Sequence, residues 1–378
     1  MNRTQAGFAG VVLACVVGTQ ASAQLFDLSL PASEDRWNYP FNGTPGTRFL
    51  ASTFGATLIE GFDDHDAQFI VGFDTSSLVP TGQGAMRYHI VSARLTLTVF
   101  EDQTFRYDPT LDSYRTWLDP SDPEYAPDAD PDARPVVVYG TGYRGVNPAD
   151  GEAWSVSTWF ETAPFGGTPV IEPAQGSRYA FVATVDANGQ VVDVSNRLKE
   201  RFDAVPLGVG EIPGVTPGDL VPADSKVVFD LSACAPGGAW FLREGLDAGV
   251  VRLSVGSLQS ASGGPGGPTG AAIYPFFYTT ENPLAPLVGG TPTLELVVRV
   301  GPVADLTGSS DPNDPSYGIP DGDADGEDFF FFLDAFTQGS AVADLTGSSD
   351  PNDPSFGQPD CDADGDDFFF FLDAFGDL

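Results

Sequence analysis

Histidine, cysteine, methionine and lysine are all scarce: 378 residues hold two histidines, three cysteines, two methionines and two lysines. So few imidazoles exclude a histidine-rich zinc site, and no serine-elbow, zinc-pair or phosphate-cradling motif is present. Positive charge is also short, with 17 Lys and Arg against 53 Asp and Glu and a net charge of −36. A chain so acidic is a poor nucleic-acid partner. Beyond residue 23 no apolar run approaches the roughly 20 residues that span a bilayer, so no transmembrane segment is expected. What is present is apolar material, 42% hydrophobic and 12% aromatic. That separates the chain from disordered acidic proteins, which lack the means to build a core. Abundant Gly (44) and Pro (32) fit many short strands joined by turns.

Residues 1–23 read as an export leader. Arg3 precedes the apolar stretch Ala6 to Gly18, and Ala21-Ser22-Ala23 has the small-x-small form of a signal-peptidase site. The mature chain then starts at Gln24 and is expected outside the cytoplasm, secreted or at the cell surface. Val12-Leu13-Ala14-Cys15 offers a second cleavage reading, with Cys15 lipidated. Cleavage after Ala23 leaves Cys234 and Cys361, and an oxidising compartment permits a bridge that sequence alone leaves open.

The boundary between two chemically different regions falls near Gly301-Pro302. Residues 301–378 hold 19 acids and no Lys or Arg; residues 24–300 hold the other 34 acids. Alternation marks strands in the front region: Ala93, Leu95, Leu97 and Val99 against Arg94, Thr96 and Thr98, and Leu294, Leu296, Val298 and Val300 against Glu295 and Arg299. Phe69–Phe73, Val136–Tyr139, Tyr179–Val185, Val227–Leu231 and Val251–Val255 are further candidates. The pattern predicts a mainly β architecture, a sandwich or barrel, followed by a small α-helical domain. Val194–Phe202 is the one helix expected in the front region, and 119–135 and 260–270 are expected as surface loops.

Phe69-Ile-Val-Gly-Phe-Asp-Thr-Ser-Ser-Leu, followed by Ile90-Val-Ser-Ala-Arg-Leu-Thr-Leu, resembles the opening of the DNRLRE-type secreted β-sandwiches. Asp193-Val-Ser, Tyr278-Thr-Thr-Glu and Pro292-Thr-Leu-Glu-Leu are similar to that family's later landmarks. The resemblance implies a jelly-roll-like sandwich and glycan binding, and names no contact residue. Trp154 and Trp159, with Tyr139 and Tyr143, have two readings, a sugar-stacking platform or sandwich core. His65 among Asp63, Asp64 and Asp66 also has two, a metal or acid/base site or an exposed acidic turn. Glycosidase chemistry needs two carboxylates at a set separation, and 53 acids make any choice from sequence arbitrary.

The strongest signal is a repeat. Ala304-Asp-Leu-Thr-Gly-Ser-Ser-Asp-Pro-Asn-Asp-Pro-Ser-Tyr recurs from Ala343 with Phe in place of the last Tyr, each copy leading to an acid cluster and then Phe-Phe-Phe-Phe-Leu-Asp-Ala-Phe. Carboxylates at alternate positions repel unless they share a cation, and an all-oxygen set selects Ca²⁺ over softer metals. Asp305 and Thr307 fit the first and third positions of an EF-hand-type loop. Asp321, Asp323, Asp325 and Asp328 fit the fifth, seventh, ninth and twelfth, with Gly322 at the turn. In the second copy Asp344, Thr346, Asp360, Asp362, Asp364 and Asp367 take these places, and Cys361 replaces the glycine. Asp311, Asn313 and Asp314, with Asp350, Asn352 and Asp353, are possible added ligands from the insertion. A solvated acidic surface is the alternative, but it needs neither spacing nor duplication.

This composite resembles the type I dockerin repeat, and more narrowly the expanded GC-type dockerin of planctomycete secreted proteins. The resemblance implies two Ca²⁺ ions and a cohesin-like or other cell-surface protein as partner. Phe329, Phe332, Leu333 and Phe336 share one helical face, as do Phe368, Phe371, Leu372 and Phe375. Phe330, Phe331, Phe369 and Phe370 fall off that face and are expected either as a partner-docking surface or buried against the sandwich. The whole reads as an exported, non-catalytic binding protein that recognises glycan or cell-surface material; a polysaccharide lyase or hydrolase on the same anchor is the alternative.

Overall fold

The computed structural model describes residues 24–128, 133–166, 178–186, 188–235, 237–261 and 273–376. The expected leader and Cys15 lie outside these residues, as do parts of both expected surface loops. The described strands are β1 (Gln24–Pro31), β2 (Glu34–Asn38), β3 (Leu50–Ser52), β4 (Gln68–Asp74), β5 (Tyr88–Thr98), β6 (Val136–Tyr143) and β7 (Ala180–Val185). They continue with β8 (Val191–Asp193), β9 (Gly208–Val209), β10 (Lys226–Asp230), β11 (Val250–Ser257), β12 (Phe276–Tyr278) and β13 (Thr293–Val300). The protein is mainly β, with every strand pair antiparallel.

One sheet runs β1-β13-β5-β10. A second runs β2-β4-β11-β6-β7-β8 with β9 beside β6, and β12-β3 forms a small third. The expected alternation does its work in the first sheet. Leu95 and Leu97 of β5 and Leu294, Leu296 and Val298 of β13 enter a core completed by Phe69, Val71 and Phe73 of β4 and Val251, Leu253 and Val255 of β11. The opposite face carries Arg94, in register with both Glu295 and Asp230. β4 is buried at nearly every position, because its outer side is also covered: Ile70 packs there on Trp154 and Trp159. Those two tryptophans are therefore core rather than a sugar platform, with Tyr143 packed against them, and Tyr139 is buried in a separate cluster with Val137, Val182 and Val194.

Two helical expectations need correction. Val194–Phe202 is a run of turns. The backbone N–H groups of Leu198 and Lys199 donate to the Asp64 carboxylate (3.1 and 3.0 Å), and Arg201 takes a left-handed φ of 57°. A side chain thus competes successfully with the helical ladder. The helix of the front region is instead α1 (Gly238–Ala248), bounded by Gly237 and Gly249 at φ 77° and 85°. It buries Leu242 and Leu246 on the sandwich core. Phe241 lies against Gly140 of β6, where a Cβ would sit 2.2 Å from the ring. A short helix α2 (Ala285–Val288) precedes β13.

After β13 come α3 (Gly326–Thr337) and α4 (Gly365–Gly376). Their Phe332 and Phe371 rings stack at 4.1 Å and 1° in a separate small core. This tail is fastened to the sandwich. Cys234 and Cys361 form a disulfide with Cα atoms 5.3 Å apart. Buried Arg243 of α1 donates to the carbonyls of Tyr88 and of Gly357 in the second repeat, and Met86 packs against the tail's core.

Candidate metal loops and an aromatic cleft

Each repeat places its acids in the same way. In the first, Asp328 is buried in the opening turn of α3. Its Oδ1 accepts the N–H of Leu306 (2.6 Å) and Thr307 (2.8 Å), and its Oδ2 that of Asp325 (2.8 Å). Asp325 caps the helix in return by accepting from Glu327 N–H at 2.8 Å. Asp305, also buried, accepts the N–H of Asp321 at 3.2 Å. The second repeat reproduces the scheme: Asp367 accepts from Leu345, Thr346 and Asp364, and Asp344 from Asp360 and Cys361. The Thr307 and Thr346 hydroxyls donate to the carbonyls of Ser309 (2.7 Å) and Ser348 (2.6 Å), closing each loop.

Burial pushes the carboxyls of Asp328, Asp344 and Asp367 upward, against the pull of their backbone N–H donors. Asp321, Asp323, Asp325, Asp360, Asp362 and Asp364 are exposed around them. Asp305 is thus joined to Asp321, and Thr307 and Asp325 to Asp328. Apart from the Cys234–Asp344–Cys361 group, whose sulfurs are bridged, no three acidic, histidine or cysteine ligand atoms among the described residues converge within 4.8 Å. The donors fit a hard cation in chemistry, all-oxygen with deeply placed carboxylates, while the cage they would form is open here.

The turn position behaves as its sequence implies. Gly322 has φ 101°, and Cys361, its counterpart, is held at φ 72°, a conformation that disfavours residues other than glycine. The insertion acids turn onto their own backbone instead of into the loop. Asp311 accepts from Asn313 and Asp314 from Ser316, with Asp350 and Asp353 doing the same, and these hydrogen bonds hold all four carboxyls below their ordinary range.

The four candidate docking phenylalanines divide into two pairs. Phe330 and Phe369 are exposed, 63% and 59%. Phe331 and Phe370 are buried and leave the docking set, because the insertion loop of each repeat folds back and sets Tyr317 on Phe331 and Phe356 on Phe370, rings 4.8 and 4.9 Å apart.

Asp63, Asp64, His65 and Asp66 are not an exposed turn; all four are buried. Arg178 explains how: its Nε donates to Asp63 Oδ2 at 2.6 Å and its Nη2 to the Asp66 carbonyl at 2.5 Å, while Lys199 Nζ lies 3.0 Å from Asp64 Oδ1. Burial, reinforced by the charges of Arg197 and Arg178, pulls His65 down to about 3, so its ring is neutral at ordinary pH. The cluster is a buried ionic network with no solvent-facing carboxylate.

Two features at one end of the sandwich were not read from sequence. Trp37, Thr44, Thr47, Arg48, Phe49 and Phe276 are among the residues lining a cleft of about 410 Å³. Nearby, Asp35 of β2 is 2% exposed and accepts Thr280 N–H at 2.6 Å. Burial first, and the neighbouring charge of Glu281, push it up to about 8. No local motif could announce either feature, because β2, β3 and β12 meet only in the folded chain.

No family model matches the chain, and no curated protein matches it. Among solved structures, a Human Polyomavirus 6 VP1 pentamer covers 73% of this chain and 95% of its own at 11% identity, with a TM-score of 0.23. A likeness that slight carries no argument. No described helix is long and apolar enough to cross a membrane.

Proposed function

We propose that this is an exported, non-catalytic binding protein, whose sandwich recognises glycan or other cell-surface material and whose tail is a Ca²⁺-stabilised, dockerin-like module that engages a protein partner. The observation that carries the reading is the duplicated placement of Asp305 and Asp328, and of Asp344 and Asp367, as buried carboxylates under exposed acids. Arg299 and Arg243 of the sandwich supply part of the countercharge, and the exposed acids repeated around each buried pair leave charge for a cation to neutralise. Asp305, Thr307, Asp321, Asp323, Asp325 and Asp328 would hold one ion. Asp344, Thr346, Asp360, Asp362, Asp364 and Asp367 would hold the other. Bound Ca²⁺ would supply folding free energy to a tail with a small core of its own. Phe330 and Phe369 support the docking half of the proposal, since solvent-exposed phenylalanine at equivalent places in two repeats is unexplained by packing. Calorimetry with CaCl₂ on residues 24–378 should give two binding events, and Asp328→Ala should remove one. A chain that takes up no Ca²⁺, and melts identically with and without chelator, ends the proposal.

A hydrolase or lyase reading has one feature in its favour: burial pushes the Asp35 carboxyl up to about 8, toward the protonated form a general acid needs, although the side chain is almost wholly buried. Product release from the oligosaccharides used below, abolished in Asp35→Asn, would establish it; absence of turnover would dismiss it.

A further inference from the structure

We infer that the aromatic cleft between β2, β3 and β12 is a sugar-binding site, with pyranose faces stacking on Trp37 and Phe49 and ring oxygens taken by Arg48, Thr44 and Thr47. The inference rests on the binding-protein reading above and gives it a place.

The cleft's volume, about 410 Å³, lies within the range of small-ligand sites, which are mostly apolar with a few placed polar groups. Its walls are held before any ligand arrives. The Trp37 indole Nε1 donates to the Ser52 carbonyl at 2.9 Å, and its ring stacks on Tyr39 at 4.9 Å and 25°. Tyr39 continues to Phe41, rings 5.5 Å apart. Walls fixed in this way lose little freedom on binding. Phe49, 62% exposed, precedes a strand whose Ala51 and Ser52 are buried. Its phenyl ring forgoes the burial that its neighbours obtain, which packing does not explain.

The polar side of the cleft is also prepared. Arg48 Nε donates to Asn42 Oδ1 at 2.8 Å, and Asn42 Nδ2 donates to the Trp37 carbonyl at 3.0 Å, so guanidinium and indole share one support. Among the described residues no carboxylate lies within 4 Å of Arg48, although acids outnumber bases 53 to 17. Flat apolar faces rimmed by hydroxyls and a cation with open donors match a ligand that has a C–H face and an oxygen-rich edge. That description fits a pyranose chain, with a hydroxyl or a carboxylate at Arg48. A net charge of −36 repels nucleic acid and, at low salt, strongly charged glycans.

The test uses residues 24–378 on an array of cello- and xylo-oligosaccharides, oligoguluronates and sulfated galactans, followed by calorimetry with the best of them. Phe49→Ala and Arg48→Gln should each bind at least tenfold more weakly with unchanged melting, both side chains being exposed. Val91→Ala, an exposed apolar residue on β5 away from the cleft, should bind as the parent does. A neutral hit whose affinity ignores salt assigns Arg48 to a hydroxyl; an acidic hit whose preference over its neutral counterpart is lost in Arg48→Gln but kept in Phe49→Ala assigns it to a carboxylate. Either result supports the site. Full binding by Phe49→Ala and Arg48→Gln overturns the cleft but leaves the binding-protein reading standing. A parent chain that binds no oligosaccharide overturns the glycan reading along with the cleft.

Discussion

Asp35 and His65 pull the pH dependence of stability in opposite directions. The folded state keeps Asp35 protonated up to about 8 and His65 neutral down to about 3. An Asp raised in the folded state contributes stability that is full below the unfolded pKa near 4 and fades as pH climbs through the folded value. A depressed His costs stability as pH falls below about 6.5. Asp66 and Asp112, both pushed up to about 7 chiefly by burial, act in the same direction as Asp35. Above pH 6.5 only the carboxyl effect remains, so the melting temperature should decline between pH 6.5 and 8. Asp35→Asn should make that decline shallower; a variant whose melting follows the parent at every pH contradicts the assignment. Neither shift was visible in the sequence. Asp63-Asp64-His65-Asp66 looks like a surface turn until Arg178, more than a hundred residues away, is placed against it.

At the scale of elements, period-two alternation located β13 almost residue for residue and the second half of β5, since each there has one face in the core and one largely in solvent. β4 and β6 lack that pattern because loops cover their outer sides, and their apolar runs identified them instead. The tail helices were equally legible, their capping acids and phenylalanines repeating 39 residues apart. α1 was missed because its eleven residues carry two glycines and are bounded by two more, and only packing on the sandwich, β6 included, makes it worth forming. Gly140→Ala tests that contact. A methyl group 2.2 Å from Phe241 must displace the ring, and overpacking of this kind costs about 1 to 3 kcal/mol. A urea midpoint equal to the parent's would mean that α1 does not bear on β6.

Across the molecule, the tail has no Lys or Arg of its own, and the sandwich supplies what it lacks. Arg299 of β13 is buried facing Asp305 and Asp328, and Arg243 of α1 faces Asp344. The Cys234–Cys361 bridge closes a separation of 127 residues. In the chain-entropy model a loop of that size contributes about 4 to 5 kcal/mol. Paired Cys234→Ser and Cys361→Gly substitutions keep a left-handed turn at 361 but cut the link, and they should lower the melting temperature by several degrees. Equal melting of parent and variant would show that the seam is held without it. Phe330 and Phe369 stay exposed on the tail, as does Ile319, and the partner proposed above would meet them there.

The sequence alone determined the mainly β architecture, the change of chemistry near Gly301 and the duplicated acidic loops, because periodicity, charge and repetition are properties of neighbours along a chain. Tertiary structure decided which phenylalanines stay in solvent, that Cys234 meets Cys361, that the acids around His65 are buried, and that Trp37, Arg48, Phe49 and Phe276 share a cleft. Each of these depends on segments tens to hundreds of residues apart, and only packing sets the distances between them.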